Sequence, residues 1–164
     1  AVKKRNIPGW QKIILTIVFT LLIGCGFSPI LKNFDLSSLN IQKINYSGKS
    51  ELTYLIKTYI NLEKEKNPKG LIVDITTSES TAVFARNTSG ITTEEDLTIT
   101  INLKIKDSQG NILYNDEFYD SKRVAVTNIL RSDQETKKIE KNNLLRNLAQ
   151  KIKFRLMLIS KQQK

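Results

Sequence analysis

Strict alternation of apolar and polar residues marks the centre of this chain and predicts a β-strand there. Apolar side chains take every second position of the segment, namely Leu97, Ile99, Ile101, Leu103 and Ile105. Threonine, asparagine and lysine stand between them, so one face of the strand should be buried and the other exposed to water. The turn-forming sequence 107–111 follows, and alternation resumes from Ile112, which predicts a hairpin. Its return strand would reach Val124 and Val126 through a bulge.

The same period of two predicts two further strands. A long one begins at Leu71 and weakens towards Arg86. A shorter first strand is expected at residues 39–46, where Ile41 and Ile44 have opposite parity. Either a bulge brings both side chains to one face, or the segment is not a strand.

Two segments show the spacing of an amphipathic helix instead. The first begins at Ser50, a potential N-cap, and ends at the sequence Asn-Pro-Lys-Gly of residues 67–70; its apolar stripe consists of Leu52, Leu55, Ile56, Tyr59 and Ile60. The second begins at the sequence Ser-Asp-Gln-Glu of residues 132–135, which matches a capping box. Its stripe consists of Ile139, Leu145, Leu148, Ile152, Leu156 and Ile159.

The order of these elements predicts the fold class. One strand and one helix are followed by three longer strands and a last helix, and each strand has a single apolar face. We therefore expect an α+β protein, a two-layer sandwich with two amphipathic helices packed on one face of a mostly antiparallel four-stranded sheet. The opposite face of the sheet should remain polar.

The N-terminal region has the order of a secretory signal peptide. A basic stretch at residues 3–5 precedes an apolar run, Ile13 to Ile23, and the chain's single cysteine, Cys25, follows Gly24. This spacing resembles the lipobox of bacterial lipoproteins, in which the cysteine receives a diacylglycerol and becomes the new N-terminus. A membrane-spanning anchor is the alternative, but the run of 11 residues is shorter than the roughly 20 that a span needs; a buried free cysteine is another.

These features divide the chain into three parts. We predict a signal peptide at residues 1–24, a lipidated tether at 25–38 and a single α/β domain at 39–164. No cofactor is expected other than the covalent lipid on Cys25.

The charge of the chain limits its partners. The formal net charge is +10, of which four cations and no anion belong to residues 1–24, so the predicted mature part is still basic. A pI near 9.7 would raise nucleic acid as a partner. Export argues against nucleic acid and favours lipid phosphates and acidic saccharides. The sequence has no histidine, which removes the commonest general base and zinc ligand.

Several segments, taken in order, resemble the LPS-assembly lipoprotein LptE family. They are the lipobox running into Cys-Gly-Phe at residues 25–27, the segment 82–87, the hairpin 97–118, and the sequence 131–135 leading into 148–152. The chain departs from the enteric pattern at Ser28-Pro29 and in lacking a long polar tail after the last helix. Proteins of this family sit at the outer membrane, fill the lumen of the β-barrel translocon LptD, and help lipopolysaccharide reach the outer leaflet. Gly26, in place of the aspartate that retains enteric lipoproteins at the inner membrane, agrees with that location.

The resemblance also suggests binding residues. Arg86 and Arg131 fall in matching segments, and an arginine can present two parallel donors to a lipid A phosphate. Weaker candidates are Lys104, Lys106, Lys122 and Arg123. Each could equally be an ordinary surface cation.

Two other functions remain open from the sequence. The carboxylates of residues 94–96 could in principle cleave a glycan, but neighbouring residues point in different directions and no nucleophile motif accompanies them. We therefore expect no enzyme. The chain could also be another outer-membrane lipoprotein, such as an accessory subunit of a phospholipid transporter or a barrel-assembly component.

Overall fold

The computed structural model describes residues 39–62 and 69–162. The predicted signal peptide, Cys25 and the predicted tether lie outside these residues. Within them the fold is α+β, as predicted, with a mostly antiparallel sheet. The elements in chain order are β1 (Ile41–Gly48), α1 (Ser50–Ile60), β2 (Leu71–Arg86), β3 (Thr92–Lys106), β4 (Ile112–Ala125) and α2 (Leu130–Gln162).

The four strands form one sheet in the order β1-β2-β3-β4. The first pair is parallel, with α1 in the crossover, and the other two pairs are antiparallel. A register shift between Ile41 and Lys43 allows both Ile41 and Ile44 to be buried. The predicted bulge in β1 is therefore confirmed, because only an extra residue can bring two positions of opposite parity to the same face.

The core lies between one face of the sheet, here called the inner face, and the two helices. All five alternating apolar residues of β3 are fully buried, as the sequence predicts. They meet the stripe of α1 and the residues of α2 that face the sheet, which are Leu144, Leu145, Leu148, Ala149, Ile152 and Leu156. Burying these side chains supplies the main stabilisation of the domain.

The opposite face, here called the outer face, is polar as predicted. Hydroxyl pairs link neighbouring strands, with Ser47 next to Thr76 at 2.8 Å and Thr98 next to Ser121 at 2.7 Å. Such cross-strand pairs are the usual way in which an exposed sheet face is stabilised.

The long helix α2 packs on the sheet in two different ways. Its 33 residues span about 50 Å, and only the part from Leu144 onwards contributes to the apolar core. Nearer the start, Lys141 lies 3.2 Å from Glu79 of β2 and 3.3 Å from Glu51 of α1. Burial alone would lower the pKa of Lys141, but the hydrogen bonds to these carboxylates outweigh it and raise the pKa. Ile139, predicted in the buried stripe, is 52% exposed, and that prediction is wrong.

The predicted helix starts are also wrong in detail. Lys49 occupies the N-cap position of α1 with no side-chain capping bond, so Ser50 is already the first helical residue. The helix ends at Ile60, where Asn61 adopts the left-handed conformation with φ of 49°, well before the predicted stop at residues 67–70. Asparagine tolerates this conformation better than most residues.

Helix α2 begins at Leu130, two residues before the predicted cap Ser132. Asp133, in the first turn, binds back to the preceding loop instead: its Oδ1 accepts hydrogen bonds from the backbone N–H of Thr127 at 2.8 Å and from the Thr127 hydroxyl at 2.7 Å. The backbone N–H and the hydroxyl of Thr127 lower the pKa of Asp133, and the charge of Lys137 lowers it further. The start of α2 is thus held to the loop that follows β4 by hydrogen bonds between residues six positions apart.

The return strand of the hairpin is more regular than predicted. The register of β4 against β3 is continuous from Tyr114 to Ala125, and its only shift lies at the turn, between Ile105 and Lys106. No bulge precedes Val124, since Tyr114, Phe118 and Val124 already share one parity. The turn itself is formed as predicted, with Gly110 at φ of 89° and Asp107 Oδ1 accepting from the N–H of Asn111 at 2.8 Å.

Candidate functional site

Three segments converge at one end of the sheet, here called the tip: residues 83–86 at the end of β2, the turn 87–91, and residues 123–131 between β4 and α2. The backbone N–H of Val126 donates to the carbonyl of Thr93 at 2.8 Å, and the side-chain amide of Asn128 reaches the carbonyl of Thr92 at 3.4 Å. These contacts fix the start of α2 beside the β2–β3 turn.

Arg86 lies at this tip as the last residue of β2. Its Nη1 donates to the carbonyl of Gly90 at 3.2 Å, across a turn in which Asn87 Oδ1 accepts from the N–H groups of Ser89 and Ile91. Gly90 has φ of 78°, a conformation that favours glycine. One hydrogen bond therefore orients the Arg86 guanidinium, and its other N–H donors have no hydrogen-bond partner within the described residues.

Arg131 lies at the same tip, exposed in the first turn of α2. No ion pair of Arg131 is found in residues 39–62 or 69–162. The preceding turn, with Asn128 at φ of 62° and the Thr127–Asp133 contacts, sets the direction in which the helix starts. The structure thus brings the two principal candidates to one end of the sheet.

The two lysine candidates of β3 lie elsewhere. Lys104 and Lys106 are on the outer face near the other end of β3, and Thr92 and Lys104 are about 40 Å apart along the strand. Lys106 forms an ion pair with Asp74 at 2.7 Å. Burial alone would raise the pKa of Asp74, but the hydrogen bonds from Lys106 and Asn45 outweigh it and lower the pKa. These lysines cannot act together with Arg86 on one small ligand.

Lys122 and Arg123 are neighbours on β4 and therefore point to opposite faces. Lys122 is exposed on the inner side, opposite Leu97 in the register. Arg123 is on the outer face, where its Nε and Nη2 donate to the two carboxylate oxygens of Asp96 at 2.9 and 3.3 Å. The hydrogen bond to Asp96 raises the pKa of Arg123. The Arg123 guanidinium therefore already binds a carboxylate within the sheet.

Arg123 also covers an aromatic ring. Its Cζ lies 3.0 Å from the centroid of the Phe84 ring, a cation–π arrangement. Phe84 is nevertheless 53% exposed. It occupies the position in β2 where the register shifts between Val83 and Ala85, so it is the extra residue of a bulge.

Sequence reasoning missed the apolar side chains of the tip. Exposed large hydrophobic residues cluster there, namely Val83, Phe84, Ile91, Ile129 and Leu130, the last being 75% exposed. One sign of this apolar surface is visible in the sequence: Ile129 and Leu130 precede the apolar stripe of the last helix and do not belong to it. The tip therefore combines two available arginines with an exposed apolar surface, the arrangement that suits a ligand with both phosphate and hydrocarbon parts.

The carboxylates of residues 94–96 alternate between the two faces, as expected for a strand. Glu95 pairs with Lys137 of α2, and Asp96 with Arg123. Among the described residues there is no group of three or more histidine, cysteine, aspartate or glutamate side chains that could hold a metal ion. In the same part of the chain, no helix is both long enough and apolar enough to cross a membrane.

Comparison with protein families gives one match over most of the chain. The family described as LptE, lipopolysaccharide-assembly, matches residues 36–156. No curated protein sequence matches.

Solved structures share the fold at low sequence identity. The rare lipoprotein B of Shewanella oneidensis is 10% identical, with a TM-score of 0.56 over 73% of this chain and 96% of that one. A minor lipoprotein of Acinetobacter baumannii is 14% identical, with a TM-score of 0.58 over 72% and 90% of the two chains. An uncharacterized lipoprotein B of Nitrosomonas europaea is 12% identical, with a TM-score of 0.53 over 70% and 81%.

Proposed function

This chain belongs to the LptE family of lipopolysaccharide-assembly proteins, and from that premise we propose that it binds lipopolysaccharide at the tip and supports an LptD-type β-barrel in the outer membrane. The family match confirms the resemblance read from the sequence. The proposal assigns binding to Arg86 and Arg131 and anchoring to an acylated Cys25.

The observation that carries the binding proposal is that Arg86 and Arg131 lie at the same end of the sheet. Neither has a carboxylate partner in the described part of the chain, whereas Arg123 and Lys106 do. An arginine with unused donors can form two parallel hydrogen bonds to a phosphate. Phe84 and Leu130, exposed in the same region, offer apolar surface for acyl chains.

The polar outer face supports the second part of the proposal. The lumen of a large membrane barrel is lined by polar groups, so a protein that fills it needs a stable core and a polar surface. The hydroxyl pairs of the outer face provide such a surface without a large net charge. Acyl chains on Cys25 would hold the protein on the membrane and raise its concentration beside the barrel.

A double substitution tests the binding proposal. We expect Arg86→Ala together with Arg131→Ala to weaken binding of purified lipopolysaccharide by at least about tenfold, since hydrogen bonds to charged groups contribute about 1.5–3 kcal/mol each. The melting temperature should stay nearly unchanged, because both side chains are exposed. A matched control, Lys43→Ala with Lys57→Ala, removes the same charge at exposed positions away from the tip and should bind like the unmodified protein. Unaltered binding by the arginine variant would remove both residues as sites.

Co-purification from the native envelope tests the partner. Recovery of a stable complex with an LptD-type barrel is the expected result. Recovery of an inner-membrane transporter complex would favour the alternative, an accessory subunit for phospholipid transport. Mass spectrometry of the same preparation should show a diacylglycerol on Cys25, and an unmodified thiol would contradict the anchoring part of the proposal.

A further inference from the structure

Half of β2 has no neighbouring strand on one side. Strand β1 pairs with β2 only as far as Gly48, which lies opposite Thr77, while β2 continues to Arg86. Residues 78–86 therefore pair with β3 alone among the described strands. Every second backbone N–H and C=O of this segment points towards an open edge. We call residues 78–86 the open edge of β2.

The open edge is a fixed feature of the fold. Gly48 ends β1 with φ of +119°, and the Thr77 carbonyl occupies the place where a Cβ atom on Gly48 would lie. The chain then turns into α1 at Ser50. No residue of β1 can continue alongside β2 because the backbone leaves the sheet at this glycine.

The open edge lacks the inward-pointing charges of the other long edge, and its register is irregular only from the bulge at Phe84 onwards. Strand β4 carries charged side chains on its inner side, namely Asp116, Asp120 and Lys122, and inward-pointing charges discourage a further strand from adding. In β2 the segment 80–85 has no charge and no proline. Its side chains are exposed on both faces, with Val83 46% accessible on one and Phe84 on the other.

Cations stand at both ends of this uncharged segment. Lys49, at the end of β1, has a side chain that is 65% exposed, and Arg86 closes the other end. Within residues 78–86 the single carboxylate is Glu79, which is 15% exposed and forms ion pairs with Lys49 and Lys141; Lys141 also pairs with Glu51. Lys49 is the more exposed member of its ion pair, and Arg86 has no carboxylate partner among the described residues, so an incoming strand meets a positive charge first at each end.

We propose that the open edge of β2 is a docking site for an extended segment of a partner protein, uncharged in its middle and acidic at both ends, which adds to the sheet as a further strand. Backbone hydrogen bonds to residues 78–86 supply affinity, and Val83 and Phe84 contact alternate side chains of the added strand. The terminal carboxylates meet Lys49 and Arg86. This site shares Arg86 and Phe84 with the proposed lipopolysaccharide site but does not include Arg131.

A synthetic peptide tests the proposal on the full chain. The probe is a fluorescein-labelled peptide of alternating threonine and valine with two glutamates at each end, and its control carries lysines instead of the glutamates. Fluorescence anisotropy should show binding of the acidic peptide about tenfold tighter than that of the basic one, or about 1.4 kcal/mol. Hydrogen exchange should slow at residues 78–86 when the acidic peptide is present. Equal binding of the two peptides, no binding at millimolar concentration, or protection at β4 instead would overturn the proposal.

Substitutions at the edge give an independent readout. Ala82→Glu should weaken binding of the acidic peptide, and Ala125→Glu, the same change on exposed β4, should leave it unchanged. Because consecutive amides point to opposite sides of a strand, one of Ser80→Pro and Thr81→Pro removes only an edge-facing N–H; that variant should keep its melting temperature and lose peptide binding.

Lipopolysaccharide binding separates this proposal from the proposed function. Arg131→Ala should retain the peptide and bind lipopolysaccharide more weakly, whereas Ala82→Glu should do the reverse. Protection of residues 78–86 that rises with protein concentration in the absence of peptide would assign the edge to a second copy of this chain and contradict a partner segment.

Discussion

Two apolar residues of α2 that look alike in the sequence should differ sharply in their contribution to stability. Leu148 is fully buried against the sheet, and Ile139 is 52% exposed. Leu148→Ala removes three carbon atoms beyond Cβ, at about 0.8 kcal/mol each. The cavity left behind adds to this cost, so we expect a loss of about 3 kcal/mol. Ile139→Ala leaves no cavity and gains helix propensity, and its effect should stay within about 0.5 kcal/mol.

Urea unfolding followed by circular dichroism at the helix band measures both values. The midpoint should fall for Leu148→Ala with an unchanged slope, because the native fold and the surface exposed on unfolding stay the same. The melting temperature should drop by roughly 10 °C, at about 2–4 °C or more per kcal/mol for a domain of this size. Equal losses for the two variants would show that the first half of α2 also packs on an apolar core, and would refute the division of the helix into an ionic and an apolar part.

Three further outcomes follow from local geometry. Gly48→Ala should destabilise the domain by at least about 1–2 kcal/mol in thermal unfolding, since it adds a Cβ at positive φ against the Thr77 carbonyl; an unchanged melting temperature would contradict the ending of β1 described above. Asp133→Ala should lower the melting temperature at neutral pH, whereas Ser132→Ala should not. The opposite result would support the predicted capping box at Ser132. The pKa of Asp133 is lowered in the folded state, so its stabilisation is complete above the unfolded value near 4 and is lost as the pH falls through the lowered pKa. The melting-temperature difference between Asp133→Ala and the unmodified protein should therefore shrink in acid titrations below about pH 4.

The candidate site could be predicted only in part. Matching segments led to Arg86 and Arg131, and the structure places both at the tip. The sequence also ranked Arg123 as a phosphate contact, yet Asp96 binds it on the neighbouring strand. A pairing between residues 27 positions apart depends on register, and register is decided by the whole sheet rather than by either segment.

The sequence by itself determined the elements whose side chains repeat with a clear period. The alternation in β3 and the stripe of α1 follow from the geometry of a single strand or helix against one apolar layer, and such local periodicity needs no knowledge of the partner. Tertiary structure decided what depends on neighbours outside the element: the Asp133–Thr127 contact at the start of α2, the exposure of Ile139, the apolar tip and the open edge of β2. Each of these depends on which other element lies, or does not lie, beside it. Gly48 shows the reason, because its φ of +119° fixes how far β1 runs and so which part of β2 is left without a neighbour.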